Sequence, residues 1–206
     1  MNLIEGQRFI KEKKFNKALD VFVNLEKNKQ SDNRIFFYLG LVYFELNDFI
    51  KSILYYKKFL SKNPDSSIAL LNLAIVKQTI GEIGYAKRIY LNLIKKNQLI
   101  IRAYYGLYLL DEKNFSQKNF EILLKIKKNK KLNLYDMAIV NFLLSKNEKN
   151  QKKIKKEIEY LENFHTSIFN SNLSYNNSSQ FYYEKIIKKY FNKVNIINKN
   201  NSVLKT

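Results

Sequence analysis

Cysteine is missing from all 206 positions, which removes disulfides, thiolate metal sites and a cysteine nucleophile together. Proline occurs once, at Pro64, glycine five times, and tryptophan never. A turn-rich β-sandwich uses far more Gly and Pro, so helices joined by short turns suit this composition better. The single histidine, His165, has no acid nearer in sequence than Glu162. It is expected to be a solvent-exposed loop residue, with no catalytic or metal-binding role. No apolar run approaches the roughly 18 residues that mark a transmembrane helix. The N-terminal stretch MNLIEGQRFIKEKKF breaks into charge before an apolar core can form. No signal peptide is therefore expected, no lipoprotein anchor without a cysteine, and the expected location is the cytoplasm. Gly81 and Gly84 lack a following Lys-Ser/Thr, so they are not a phosphate loop. Glu157 and Glu159 stand two apart on an expected helix and point in different directions, as on a solvated face. Neither catalysis, nor a cofactor, nor a metal site is expected.

What is present is charge and grease together. Thirty-seven Lys and Arg against eighteen Asp and Glu give a net charge of +19. Hydrophobic residues make up 46% and aromatics 15%, too apolar for a disordered chain. Only Arg8, Arg34, Arg88 and Arg102 are arginines; the other cations are lysines among much Asn, Ile, Phe and Tyr. Those residues have AT-rich codons, so genome composition alone would produce this surface. The alternative is a basic surface that binds RNA or an anionic membrane non-specifically. The lysine runs Lys125–Asn133 and Lys146–Glu157 are where such binding would concentrate. Scarce arginine counts against specific bidentate contacts, and thin aromatic interleaving counts against base stacking.

The chain repeats itself. Gly6, Gly40 and Ala74 stand 34 residues apart, and Gly106 follows after 32. Phe15, Phe49, Ile83 and Phe115 keep the same steps, as do Phe22, Tyr56, Tyr90 and Ile122; Ala18, Ser52 and Ala86 form a further column. Several columns in one phase signal stacked supersecondary units. In the second unit a helix A is predicted over about Asn33–Leu46, a break at Asn47-Asp48, and a helix B over about Phe49–Lys62, stopped at Asn63-Pro64. A mid-helix glycine costs about 1 kcal/mol against alanine. Gly40 makes sense there only if the facing helix comes close.

This pattern resembles the tetratricopeptide repeat (TPR). The second unit carries its columns in Phe36, Leu39-Gly40, Tyr43, Asn47-Asp48-Phe49, Ser52, Tyr56 and Pro64. The first matches at Gly6, Phe9, Phe15, Ala18 and Phe22, and the third at Leu73-Ala74, Gly81, Ile83, Ala86 and Tyr90. The fourth fits at Gly106, Leu109 and Phe115 but has Lys118 where a small residue belongs; a fifth is centred on Ala138, with Asn150 at the small position of its helix B. The resemblance implies an all-α, right-handed superhelix of about five helix-turn-helix units, an α-solenoid, spanning 1–163. The expected units are 1–30, 31–64, 65–97, 98–130 and 131–163. A Ser/Asn-rich loop is expected over 164–178, an amphipathic capping or docking helix over 179–194, and a disordered tail over 195–206.

The family's role is protein–protein interaction, as scaffold, adaptor or chaperone-like holder, with the A helices lining a concave groove. The inward positions are then Phe37, Leu41 and Phe44 in the second unit, Leu71, Ile75 and Gln78 in the third, and Ala103, Leu107 and Leu110 in the fourth; the fifth would add Tyr135, Ile139 and Phe142. This stripe is apolar. It lacks the Lys, Arg and Asn by which some TPR domains clamp an acidic tail, Arg34 being the nearest exception. The expected partner is an apolar peptide or helix, with an acidic flank favoured by the surrounding lysines; self-association, peripheral membrane contact and nucleic acid are the other partners considered. If the A helices lie close enough together, part of the stripe is ordinary core instead.

Overall fold

The computed structural model describes residues 2–28, 32–112 and 115–171, with isolated positions at 181 and 185. Ten helices occupy this span: α1 (Leu3–Lys11), α2 (Phe15–Lys27), α3 (Arg34–Glu45), α4 (Phe49–Lys62), α5 (Ser67–Thr79), α6 (Ile83–Lys96), α7 (Ile101–Leu110), α8 (Gln117–Asn129), α9 (Leu134–Asn150) and α10 (Ile154–Ser171). The described residues contain no strand. The chain divides into two compact units, Met1–Ile122 and Leu123–Thr206, with the division inside α8. Apart from positions 181 and 185, the helix expected over 179–194 and the tail over 195–206 lie outside the described residues.

In the first unit the helices pair as α1/α2, α3/α4 and α5/α6. One turn serves all three hairpins. Lys13, Asn47 and Gly81, again 34 apart, have positive φ of 55°, 61° and 82°. The amide after each donates back to a carbonyl five residues earlier: Lys14 to Phe9, Asp48 to Tyr43 and Glu82 to Lys77, each at 2.8 Å. This left-handed closure satisfies carbonyls that a helix C-terminus otherwise leaves bare. Asp48 then starts α4, its side chain accepting from the Lys51 amide at 3.1 Å.

The small residues sit where the helices press together. A Cβ on Gly40 would stand 2.8 Å from Tyr56 Cδ1, and one on Gly6 would run into the Phe22 ring. Ala18, Ser52, Ala74 and Ala86 are all fully buried. Ser52 Oγ donates to the Gly40 carbonyl at 2.7 Å, a bond only a close approach allows. Gly106 departs from the pattern. Its crowded neighbour is Tyr90 of the preceding helix α6, not a residue of its own hairpin partner. The two residues missing from the 34-residue spacing and the short, ten-residue α7 go with this change.

In the second unit α9 and α10 form a hairpin whose turn repeats the first unit's: Lys152 has φ 58°, and the Lys153 amide donates to the Glu148 carbonyl at 2.9 Å. That turn corrects the fifth repeat. Counting back from it as from Lys13, Asn47 and Gly81, the helix A small residue is Ser145, 1% exposed, and not Ala138. Asn150 ends α9 rather than lying inside a helix B. The loop expected over 164–178 is helical as far as Ser171. Here Ser and Asn bond back to helical carbonyls instead of breaking the helix: Ser167 Oγ to Asn163 O at 2.7 Å, and Asn163 Nδ2 to Glu159 O at 2.8 Å.

Candidate interaction groove

The first unit has an inner and an outer layer. Besides its sequence neighbours, α3 touches α1 and α5, and α5 touches α7. No comparable approach joins α2 to α4 or α4 to α6 among the described residues. The outer helices are bridged by long side chains instead: Tyr55 Oη of α4 donates to Glu26 of α2 at 2.7 Å, and Lys58 reaches the same carboxylate at 3.2 Å. The inner layer is therefore α1, α3, α5 and α7.

That closeness decides which inward-facing residues a partner could reach. Ala103 is fully buried, and Leu71 and Leu107 are each only 6% exposed. These three belong to the core between neighbouring inner helices, not to an open wall, which corrects their expected role. Phe37 is half-buried, its ring 5.9 Å from Tyr56 and 5.5 Å from Phe59. Gln78 is half-buried and accepts from the Tyr90 hydroxyl at 2.9 Å. Burial pushes that Tyr90 phenol up to about 12. Leu110, half-buried, closes α7.

The other three residues come together. Leu41, Phe44 and Ile75 line one cavity of about 200 Å³ between α3 and α5, with Glu45, Tyr56 and Asn72 completing its wall. Ile75 is 36% exposed, the most open apolar residue of the wall. Tyr56 forms the floor at 2% exposed, its hydroxyl accepting from Asn72 Nδ2 at 3.2 Å. Burial and, secondarily, the Glu45 charge hold the Tyr56 phenol well above its ordinary range, while the Asn72 bond works the other way. The floor is therefore neutral at any physiological pH. Leu41 and Phe44 back onto the Tyr56, Leu73 and Val76 core cluster, so the wall is stiff.

Solved structures with a similar fold are known. They include a crystal structure of MamA at 18% identity and TM-score 0.58, covering 83% of this chain and 97% of that one. A second crystal structure of MamA protein stands at 20% identity and TM-score 0.55, with 79% of this chain and 90% of that one. "MamA 41-end from Desulfovibrio magneticus RS-1" stands at 17% and 0.54, with 79% and 89%. The fold is a TPR-like solenoid. At such identities the likeness is one of fold alone. No family model matches the chain, and no curated protein matches it.

Among the described residues of the first unit, the inner layer carries an apolar cavity between α3 and α5. Glu45 and Asn72 were not among the expected groove residues. Both had a signal: Asn72 is the single polar residue in the run Ile68–Val76, and Glu45 directly follows the inward Phe44. Among the described residues no helix is long and apolar enough to cross a membrane.

Proposed function

We propose that this chain is a non-enzymatic protein-interaction scaffold that holds an apolar segment of a partner protein against the inner faces of α3 and α5. One observation carries the reading. The inner layer offers a preformed apolar cavity, walled by Leu41, Phe44 and Ile75 and floored by Tyr56. A dry cavity on the order of 150 Å³ accommodates benzene, so a space of about 200 Å³ suits a leucine, methionine or phenylalanine side chain. Burying such a side chain contributes roughly 1.5–3 kcal/mol. Flanking contacts must supply the rest against an association cost of about 4–15 kcal/mol. The resulting affinity is modest and suited to reversible assembly.

The test places a charge on the wall without disturbing the core. Ile75→Glu alters a partly exposed side chain at the cavity mouth; Leu91→Glu, on the outer helix α6 and 47% exposed, is the matched control. Both variants are expected to keep the parent's melting temperature and far-ultraviolet circular dichroism. Ile75→Glu is expected to lose binding of leucine-bearing helical peptides, and Leu91→Glu to keep it. Equal binding by both variants would remove the groove from the account.

A further inference from the structure

The rim of the cavity has the opposite charge from the molecule around it. Glu45 lines the cavity as the last residue of α3 and is exposed. The chain has 37 cations to 18 anions, and seven of its carboxylates have a cation close by. Glu12, Glu26, Asp32, Asp48, Asp65, Glu82 and Asp111 each have a Lys or Arg within 4.0 Å. No such ion pair reaches Glu45 among the described residues. The helix adds to the same field. The C-terminal end of α3 carries the negative end of its dipole, and its last turn contains no basic residue to offset it. Lys77 of α5 is already paired, its ammonium 2.5 Å from Glu82 across the following turn. Asn72 contributes no charge, and the Tyr56 phenol stays protonated.

We propose that the segment held in this groove carries a lysine or arginine one helical turn from its apolar anchor, so that the anchor fills the cavity while the cation meets Glu45. This rests on the groove reading and deepens it. It reverses the acidic flank that the net charge of +19 favours at long range. The two statements act over different distances: the overall field attracts anions to the surface, whereas the contact beside the anchor is made with a carboxylate. A partner with an acidic remainder and one basic residue next to its anchor would satisfy both.

Four short, capped, fluorescein-labelled helical peptides separate the possibilities by anisotropy with the 206-residue protein. They carry Leu or Ala at the anchor and Lys or Glu one turn away, on an otherwise identical alanine-rich sequence. The wild type is expected to bind the Leu–Lys peptide about fivefold more tightly than the Leu–Glu peptide, the size of a favourable, partly exposed charge contact. Glu45→Lys is expected to invert that order, and Glu45→Gln to flatten it. Glu45 is exposed, so neither substitution threatens the fold. If Leu–Glu binds the wild type as well as Leu–Lys, or Glu45→Lys leaves the order unchanged, the basic-flank proposal is overturned. The groove itself then stands provided both leucine peptides outbind their alanine counterparts. If leucine and alanine peptides bind alike, or the Leu–Lys peptide does not bind, both ideas fall.

Discussion

Replacing Gly40 with alanine tests the packing on which the whole inner layer depends. In an exposed helix interior the change would stabilise by about 1 kcal/mol, because alanine has the better helix propensity. At Gly40 the new methyl group would lie 2.8, 2.9 and 3.0 Å from Cδ1, Cε1 and Cγ of Tyr56. Tyr56 is 2% exposed and its hydroxyl is tied to Asn72 at 3.2 Å, so moving the ring aside disturbs that bond. Separating α3 from α4 would also stretch the 2.7 Å bond from Ser52 Oγ to the Gly40 carbonyl. Overpacking of this kind costs about 1–3 kcal/mol. Set against the propensity gain of about 1 kcal/mol, the net expectation is a loss of up to about 2 kcal/mol, or up to about 8 °C in melting temperature for a chain of this size. Gly84→Ala is the internal control. Gly84 lies in the first turn of α6 with no atom near the position of an added Cβ. That change is expected to raise the melting temperature by up to a few degrees. In a Tyr56→Leu background the ring is gone, and Gly40→Ala is expected to become neutral or favourable, a coupling of about 1–2 kcal/mol in the double-mutant cycle. If Gly40→Ala stabilises the protein as Gly84→Ala does, α3 and α4 do not approach as described.

Three other outcomes follow from the same geometry. Ser52→Ala leaves its space filled but removes the bond to Gly40, and a denaturant titration should show a loss of about 0.5–1.5 kcal/mol. Asp48 is held below the usual carboxylate range, chiefly by its side-chain bond to Lys51 and then by the Lys51 amide. A depressed folded value means its contribution is complete above the unfolded value of about 3.9 and fades as pH falls through the folded one. Asp48→Asn, which still caps α4, should therefore match the wild type more closely at pH 2 than at pH 6 in thermal melts. In the second unit, Lys127 Nζ donates to the buried Asn141 Oδ1 at 2.7 Å and lies 4.4 Å over the Tyr160 ring; burial lowers its pKa. Asn141→Leu should cost about 1–3 kcal/mol by stripping the ammonium of its acceptor, and adding Lys127→Met should restore most of that loss.

Much of the fold was legible because the repeat is enforced by contacts that tolerate only small residues. Gly6 and Gly40 each face a ring sixteen residues on, and Ala18, Ser52 and Ala86 have no spare surface. The hairpin turns were unevenly legible: Asn47 and Gly81 are residue types that favour the left-handed conformation, whereas Lys13 is not and is held there by the turn's own hydrogen bonds. The fifth repeat was misplaced for a different reason. In α9 the buried residues Ala138, Ile139, Val140, Asn141, Leu143, Leu144 and Ser145 run round the helix, so no single apolar stripe marks its phase. The groove was half legible. Inward positions follow from the repeat, but depth depends on how near the neighbouring inner helices lie, and that spacing is a tertiary property. It sinks Leu71, Ala103 and Leu107 while leaving Leu41, Phe44 and Ile75 at a cavity.

The most direct measurement is a chemical-shift titration of the isotopically labelled 206-residue protein with the Leu–Lys peptide. The account predicts that the earliest and largest changes fall on Leu41, Phe44, Glu45, Asn72 and Ile75, the wall of one cavity between α3 and α5. Changes confined to the lysine runs at 125–133 and 146–157, or to the outer faces of α4 and α6, would contradict it.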